Sequence, residues 1–292
     1  MKNISKILAL ILLGMSFSVL AQGDLYATTN IQISKANSAD NDFITGYGAD
    51  DGDRIQVRLE HQSEYALGEN YFFMDWVNFD TPAGGAYGEG DTGTSEIYAL
   101  WNGDMRLSKL RKREINFGII NDISFAWRLE AGSFFDYTSS AFGFGLHLDV
   151  PGFSGEDDSV VLNWWRRSNC DEYVTGPYGS PDGGCYDNHN FFGLTTRKYW
   201  ETSNGMRWNH QTILRYQDGT TSDKADPNPA ARHDRVFLEI EIFAHIYKNL
   251  QLGARYEYFW DEGGIDYDRT TFAPDARDSN SIPMIVLKYD FH

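Results

Sequence analysis

Cysteine is almost missing from this chain of 292 residues, with Cys170 and Cys185 the whole supply. A disulfide-dense scaffold is excluded, and so is a four-thiolate zinc site. Basic residues are scarce too: 25 Lys and Arg stand against 42 Asp and Glu, a net charge of −17. Phosphate contacts need clustered Lys and Arg, so nucleic acid is not an expected partner. Beyond the N-terminus there is no long apolar run, and therefore no window for a membrane helix. If the chain crosses a membrane, a closed strand barrel is what remains, because lipid satisfies no backbone polar group.

The one concentrated apolar stretch opens the chain, as MKNISKILALILLGMSFSVLA. Lys2 and Lys6 precede an apolar core, and Val19-Leu20-Ala21 supplies the small residue for cleavage. Residues 1–21 read as a secretory signal peptide, too short and wrongly flanked for a spanning helix. The mature chain is expected to run from Gln22 to His292 as one barrel domain. No cysteine follows Ala21, so a lipoprotein anchor is not expected. Losing Lys2 and Lys6 takes the net charge from −17 to −19. Export to an oxidising space favours a disulfide between Cys170 and Cys185. The rival reading, a two-cysteine metal site, lacks two of the four ligands zinc wants.

What is present is alternation. From Ser95 to Ala131 the chain reads as two arms around a basic turn at Ser108–Glu114. Ile97, Ala99 and Trp101 oppose Glu96, Tyr98 and Asn102 in the first arm. In the second, Ile123, Phe125, Trp127 and Leu129 oppose Asp122, Ser124, Arg128 and Glu130. A period of two places each set on its own face of a strand, and the arms form an antiparallel hairpin. A soluble sandwich also alternates. Here the polar face is ionised in both signs and the apolar face is rich in aromatics, which is what a transmembrane barrel requires.

The same pattern recurs along the chain at Leu25–Ser34, Asp53–Gln62, Asn70–Phe79, Tyr137–Val150, Asp158–Asn169, Asn188–Trp200, Arg207–Asp218, Asp234–Tyr247, Leu250–Trp260 and Ser281–Phe291. The fold class is all-β: an antiparallel transmembrane barrel of about twelve strands. Connectors alternate between short turns (Leu67–Glu69, Ser108–Arg113, Pro151–Asp157, Glu201–Met206, Lys248–Asn249) and longer acidic loops. That asymmetry puts the short turns and both termini in the periplasm of a bacterial outer membrane. Bilayer lipid and lipopolysaccharide are then the surroundings. In the last strand Ile285, Leu287, Tyr289 and Phe291 face one way, the usual ending of an outer-membrane strand, with His292 as a small departure.

The predicted inner face carries Arg54, Arg58, Glu60, Asp75, Glu96, Asp122, Arg128, Glu130, Arg197, Glu239, Glu241, Arg255, Glu257 and Lys288. Tyr71, Phe73, Tyr98 and Phe237 are its candidate stacking aromatics. The bland reading is a set of salt-bridge ladders, since buried charges must pair or meet water. The sharper one is a polar lumen with weak solute contacts. Gly88–Gly93 fits G-x-G-x-x-G but is acidic and has no following helix, so no dinucleotide site is expected. The acidic groups at Asp50, Asp51 and Asp53, and at Asp261, Glu262, Asp266 and Asp268, read as solvated loops; the alternative is a divalent cation. Neither has a full ligand pattern, and no metal or cofactor is expected. His147 with Asp149 is the compact pair for a rival barrel hydrolase, but no nucleophile lies at a recognisable spacing.

The SEIYALWNGDMRLSKLRKREINFGIINDISFAW segment resembles the nucleoside-specific channel-forming Tsx family, including its OmpK-type members, at Ser108, Leu110, Phe117, Gly118 and Asp122. The hairpin from Arg54 to Phe79, with Asp75 in an aromatic run, and the ARYEYFWDEGG run within Leu250–Gly264 are similar to the same family. The resemblance implies a monomeric twelve-stranded barrel with a narrow lumen, and diffusive uptake of nucleosides or similar small polar solutes. It also implies a surface that phage or colicin uses as receptor. The family's ligand-contacting aromatic after the first strand has no clear counterpart in this chain; Phe43 or Tyr47 is the candidate substitute. The competing function is a surface receptor or adhesin barrel without conductance.

Overall fold

A computed structural model describes residues 26–41, 49–82, 92–132, 137–155, 157–171, 184–185, 188–221, 231–232, 234–260 and 279–291. The expected leader with its cleavage site, Phe43, Tyr47 and the Asp261–Asp268 acidic group lie outside them, as do the side chains of Asp50, Asp51 and Asp53.

The long strands are β1 (Tyr26–Asn41), β2 (Ala49–Tyr65), β3 (Gly68–Pro82), β4 (Thr92–Arg106), β5 (Ile120–Gly132), β6 (Thr138–Leu148), β7 (Ser159–Asp171), β9 (His189–Glu201), β10 (Arg207–Gln217), β13 (Arg235–Tyr247), β14 (Leu250–Trp260) and β15 (Ser279–Phe291). Three two-residue strands accompany them: β8 (Gly184–Cys185), β11 (Thr220–Thr221) and β12 (Ala231–Arg232). Each long strand pairs antiparallel with the next long strand. β15 returns to β1, from Thr29 opposite Phe291 to Lys35 opposite Ile285. The sheet therefore closes as a twelve-strand antiparallel barrel. β8 extends β7 beyond the end of β9, where a disulfide joins Cys170 to Cys185.

Closure fixes two faces. The register sets Arg58 of β2 beside Asp75 of β3, Asp75 beside Tyr98 of β4, and Glu241 of β13 beside Arg255 of β14. A shift of one residue would send all of these into lipid.

Most strand ends differ from the sequence expectation by a few residues; β1, expected to end at Ser34, runs on to Asn41. A second difference is the connector after β4, expected as a turn leading into a strand at Ile115. It begins instead with a five-residue helix, α1 (Leu107–Arg111). Lys112 ends the helix in the left-handed region at φ 50°, and the Arg113 N–H donates to the Ser108 carbonyl. Asp122 fastens this connector: its carboxylate accepts from the Ser108 N–H at 3.1 Å and from the Ser108 hydroxyl. Regular pairing of β5 therefore starts only at Ile120. The G-x-G-x-x-G stretch runs into β4 at Thr92, not into a helix.

The packed interior lies within the barrel. At mid-height of the β5–β6 wall four inward residues are small, Ala126, Ala141, Gly143 and Gly145. They make room for Trp165 and Phe191 from β7 and β9, whose rings stack at 5.3 Å. On the opposite wall Ala36, Phe243, Ile282, Met284 and Val286 form a dry cluster. The inner face is thus not polar all round, as alternation predicted. β15 is apolar on both faces over Ile282–Leu287, so its pattern hides which side is inward.

Candidate functional site

The outer surface decides the environment. Ile33, Trp76, Phe142, Phe144, Leu162, Trp164 and Ile285 all point outward and are 39–70% exposed. Phe144 stacks on Trp164 at 6.3 Å and Phe125 on Phe142 at 6.4 Å, building an aromatic ladder across neighbouring strands. The shortest long strands have 11 residues. At about 3.3 Å per residue and a tilt of about 45°, such a strand rises about 26 Å, matching an apolar band of about 25 Å. A continuous apolar face of that height is unstable in water and stable in lipid. The protein is an outer-membrane β-barrel.

Inside, the register places every sequence-predicted lumen residue on the inner face, with the Glu96 side chain outside the described residues. They separate into four groups. The largest is a charge network reaching from β2 to β13. Arg58 Nε and Nη2 hold the Asp75 carboxylate in a fork at 2.7 and 2.9 Å. The same guanidinium reaches Glu239 at 3.4 Å and Glu241 at 3.6 Å. β2 and β13 are separated by β1, β15 and β14, so these contacts cross the lumen and narrow it. Arg255, which is 1% exposed, donates to Glu241 and to the Gln32 side chain. Arg54 reaches Glu257 at 3.1 Å. Glu60 accepts from Asn30 at 2.9 Å and from the Tyr71 hydroxyl at 2.8 Å, with Lys288 at 3.6 Å.

A second network occupies the β5–β7 wall. Glu130 is held by Arg128, Arg167 and the Tyr137 hydroxyl, and Arg167 Nη1 donates to Gln217 at 2.8 Å. A third group is aromatic. Arg58 lies 4.2 Å above Phe73, Tyr98 packs on Phe73 at 5.8 Å, and Phe237 packs on Phe259 at 4.9 Å. Phe73 is therefore covered by its own arginine. The fourth group stands at the end of the barrel that carries the short turns. There Asp122 belongs to the α1 connector, as described above, and Arg197 lines a cavity.

That cavity has two adjoining parts. A vestibule of about 450 Å³ is lined by the Glu64, Glu69, Arg106, Asp158, Arg197 and Tyr199 side chains, all near short turns. A chamber of about 90 Å³ lies further in, sharing Glu69, His147, Ser159 and Arg197 with the vestibule. Its deeper walls are Tyr71, Asn102, Asn163, Trp165, Gln211 and Arg215. Three buried polar atoms on these walls, Asn102 Oδ1, Trp165 Nε1 and Arg215 Nε, have no hydrogen-bond partner among the described residues. Such atoms ordinarily meet water or ligand.

Sequence reasoning found Tyr71 and Arg197 here and missed Trp165 and Arg215, as it missed Arg167 of the Glu130 network. In the NWWRRS run of β7 both members of each pair look alike, yet Trp164 and Arg166 face out while Trp165 and Arg167 face in. Only the register separates them.

The His147–Asp149 pair does not form. Asp149 is exposed. His147 meets Asp104 Oδ2 at 2.8 Å and Ser124 Oγ at 3.2 Å instead. Both contacts use Nε2, whereas a nucleophilic triad needs one ring nitrogen for each partner. Among the described residues no cluster of His, Cys, Asp and Glu is arranged to hold a metal.

No family model matches this chain, and no curated protein sequence matches it. Among solved structures it is similar to the NanC porin (TM-score 0.43, 11% identity, 89% of this chain and 98% of that one). It is also similar to the beta domain of the Bordetella autotransporter Brka (TM-score 0.36, 12% identity, 91% and 98%). The outer membrane protease OmpT from Escherichia coli gives a TM-score of 0.28 at 8% identity, covering 91% and 96%. The closed register and the apolar exterior, not these distant likenesses, establish the barrel.

Proposed function

We propose that this barrel is a passive channel for small polar solutes, with nucleosides as the solute class that its vestibule and inner chamber together suit best. The supporting observation is the set of unpartnered polar atoms in that chamber. Asn102 Oδ1 offers an acceptor and Trp165 Nε1 a donor, beside the amides of Asn163 and Gln211 and the ring of Tyr71. A nucleoside brings a flat base for aromatic contact and ribose hydroxyls for amides. Base–aromatic stacking is worth about 1–3 kcal/mol in nucleic-acid sites, weak enough for exit as well as entry. The resemblance of the Ser95–Ala131 hairpin to the Tsx family agrees with this reading. We further propose a monomer, with phage or colicin contacts confined to the outer loops.

Liposome swelling tests it. Vesicles containing the protein should swell faster in uridine than in a sugar of equal size, and Tyr71→Ala should reduce that difference. Equal wild-type rates would defeat nucleoside selectivity.

One observation favours the second reading, a surface receptor or adhesin without conductance. The ion pairs from Arg58 to Glu239 and Glu241 cross the lumen, and the Ile282–Val286 wall is filled by a dry cluster. That reading predicts no single-channel current at any voltage.

A further inference from the structure

Most charges around the chamber are matched. Asp104 accepts from His147, and Glu69 is shared between Arg106 and Arg197. Arg215 is different. It is 6% exposed, lines the chamber, and has no carboxylate within ion-pairing distance among the described residues. Its Nη1 donates to the Leu214 carbonyl at 3.1 Å and the Leu194 carbonyl at 3.3 Å; both Nη atoms reach Thr195 Oγ1 at 3.2 Å. Its Nε has no partner, and neither does the Nε of Arg197 on the same wall.

The position is built. Gly193 faces Arg215 across the β9–β10 pair, and a Cβ there would stand 2.9 Å from Arg215 Nη1 and 2.8 Å from the Trp165 ring. The missing side chain lets guanidinium and indole lie together against β9, 5.7 Å apart. A desolvated cation without a counter-charge is costly, and a bound anion offsets that cost. A planar guanidinium fork matches the oxygens of a carboxylate or phosphate. The chamber holds an oxyanion head, and the adjoining vestibule has room for the body of the solute.

We infer that Arg215, with Arg197 beside it, forms an oxyanion subsite for a small organic solute carrying one carboxylate or phosphate group. The inference deepens the channel reading and rests on the same cavity, but it can be tested by binding alone.

The full-length detergent-purified protein is titrated calorimetrically with uridine, uridine 5′-monophosphate, inorganic phosphate and acetate. Wild-type protein should bind the monophosphate at least tenfold more tightly than uridine. The preference should weaken with salt, as a charge contact does. Arg215→Gln should abolish it and Arg215→Lys should retain part of it, with gel mobility before and after heating used to confirm a folded barrel. The phosphate and acetate arms tell which oxyanion is preferred. Equal wild-type affinities, or a preference surviving in Arg215→Gln, would overturn the inference. Bilayer conductance separates the two claims. Current without anion preference removes this subsite and leaves the channel, whereas anion preference without current removes the channel and leaves the subsite.

Discussion

Arg58 ties three buried carboxylates together. It forks onto Asp75, approaches Glu239 and Glu241 across the lumen, and covers Phe73. Arg58→Ala would leave buried carboxylates short of charge, the costly half of a broken ion pair. We expect a loss of about 3–5 kcal/mol, read as a lower urea midpoint in detergent. A loss below about 1 kcal/mol would show that lumen water already screens the group. Gly193 gives a second test at this scale. Gly193→Val should displace Arg215 and Trp165 and lower barrel stability, whereas Gly152→Ala, on a turn with nothing within 4 Å, should strain only its own φ of 91°. Trp165 and Arg167 explain why single residues escaped sequence reading. In a run of like pairs, a period of two has nothing to alternate against.

At the scale of elements, β6 shows both faces plainly. Phe142 and Phe144 are about half exposed to the outside, while Ala141, Gly143 and Gly145 turn inward. Phe144→Arg should cost about 2–4 kcal/mol for a charge near the bilayer midplane, measured by urea unfolding in lipid vesicles. An unchanged midpoint would mean that this face does not meet lipid. The β4–β5 connector makes the opposite prediction about function. Asp122→Ala leaves the Ser108 N–H and hydroxyl without their acceptor, so stability should fall by about 1–3 kcal/mol while solute flux stays at the wild-type level. A selective loss of flux would return Asp122 to the solute path. Its place on the inner face was legible from alternation, but its role was not. A five-residue helix carries no periodic signal of its own.

For the whole molecule, strand number, closure and the inward or outward sense of most charged residues were legible, because β2, β5, β13 and β14 alternate ionised against apolar residues. The β15 wall was not, since Ile282, Met284 and Val286 match their outward neighbours in polarity. Nor was the cavity, whose members come from β3, β4, β5, β6, β7, β9 and β10 and meet only after closure. The account stands on a lumen that is ionised, narrowed by cross-barrel ion pairs and still passable. Single-channel current in planar bilayers tests this most directly, comparing wild type with the Arg58→Ala/Glu239→Ala double variant. The account predicts small wild-type conductance steps that grow by at least twofold when the cross-lumen pair is removed. Silent bilayers for both proteins, with each shown to be inserted and folded, would contradict it.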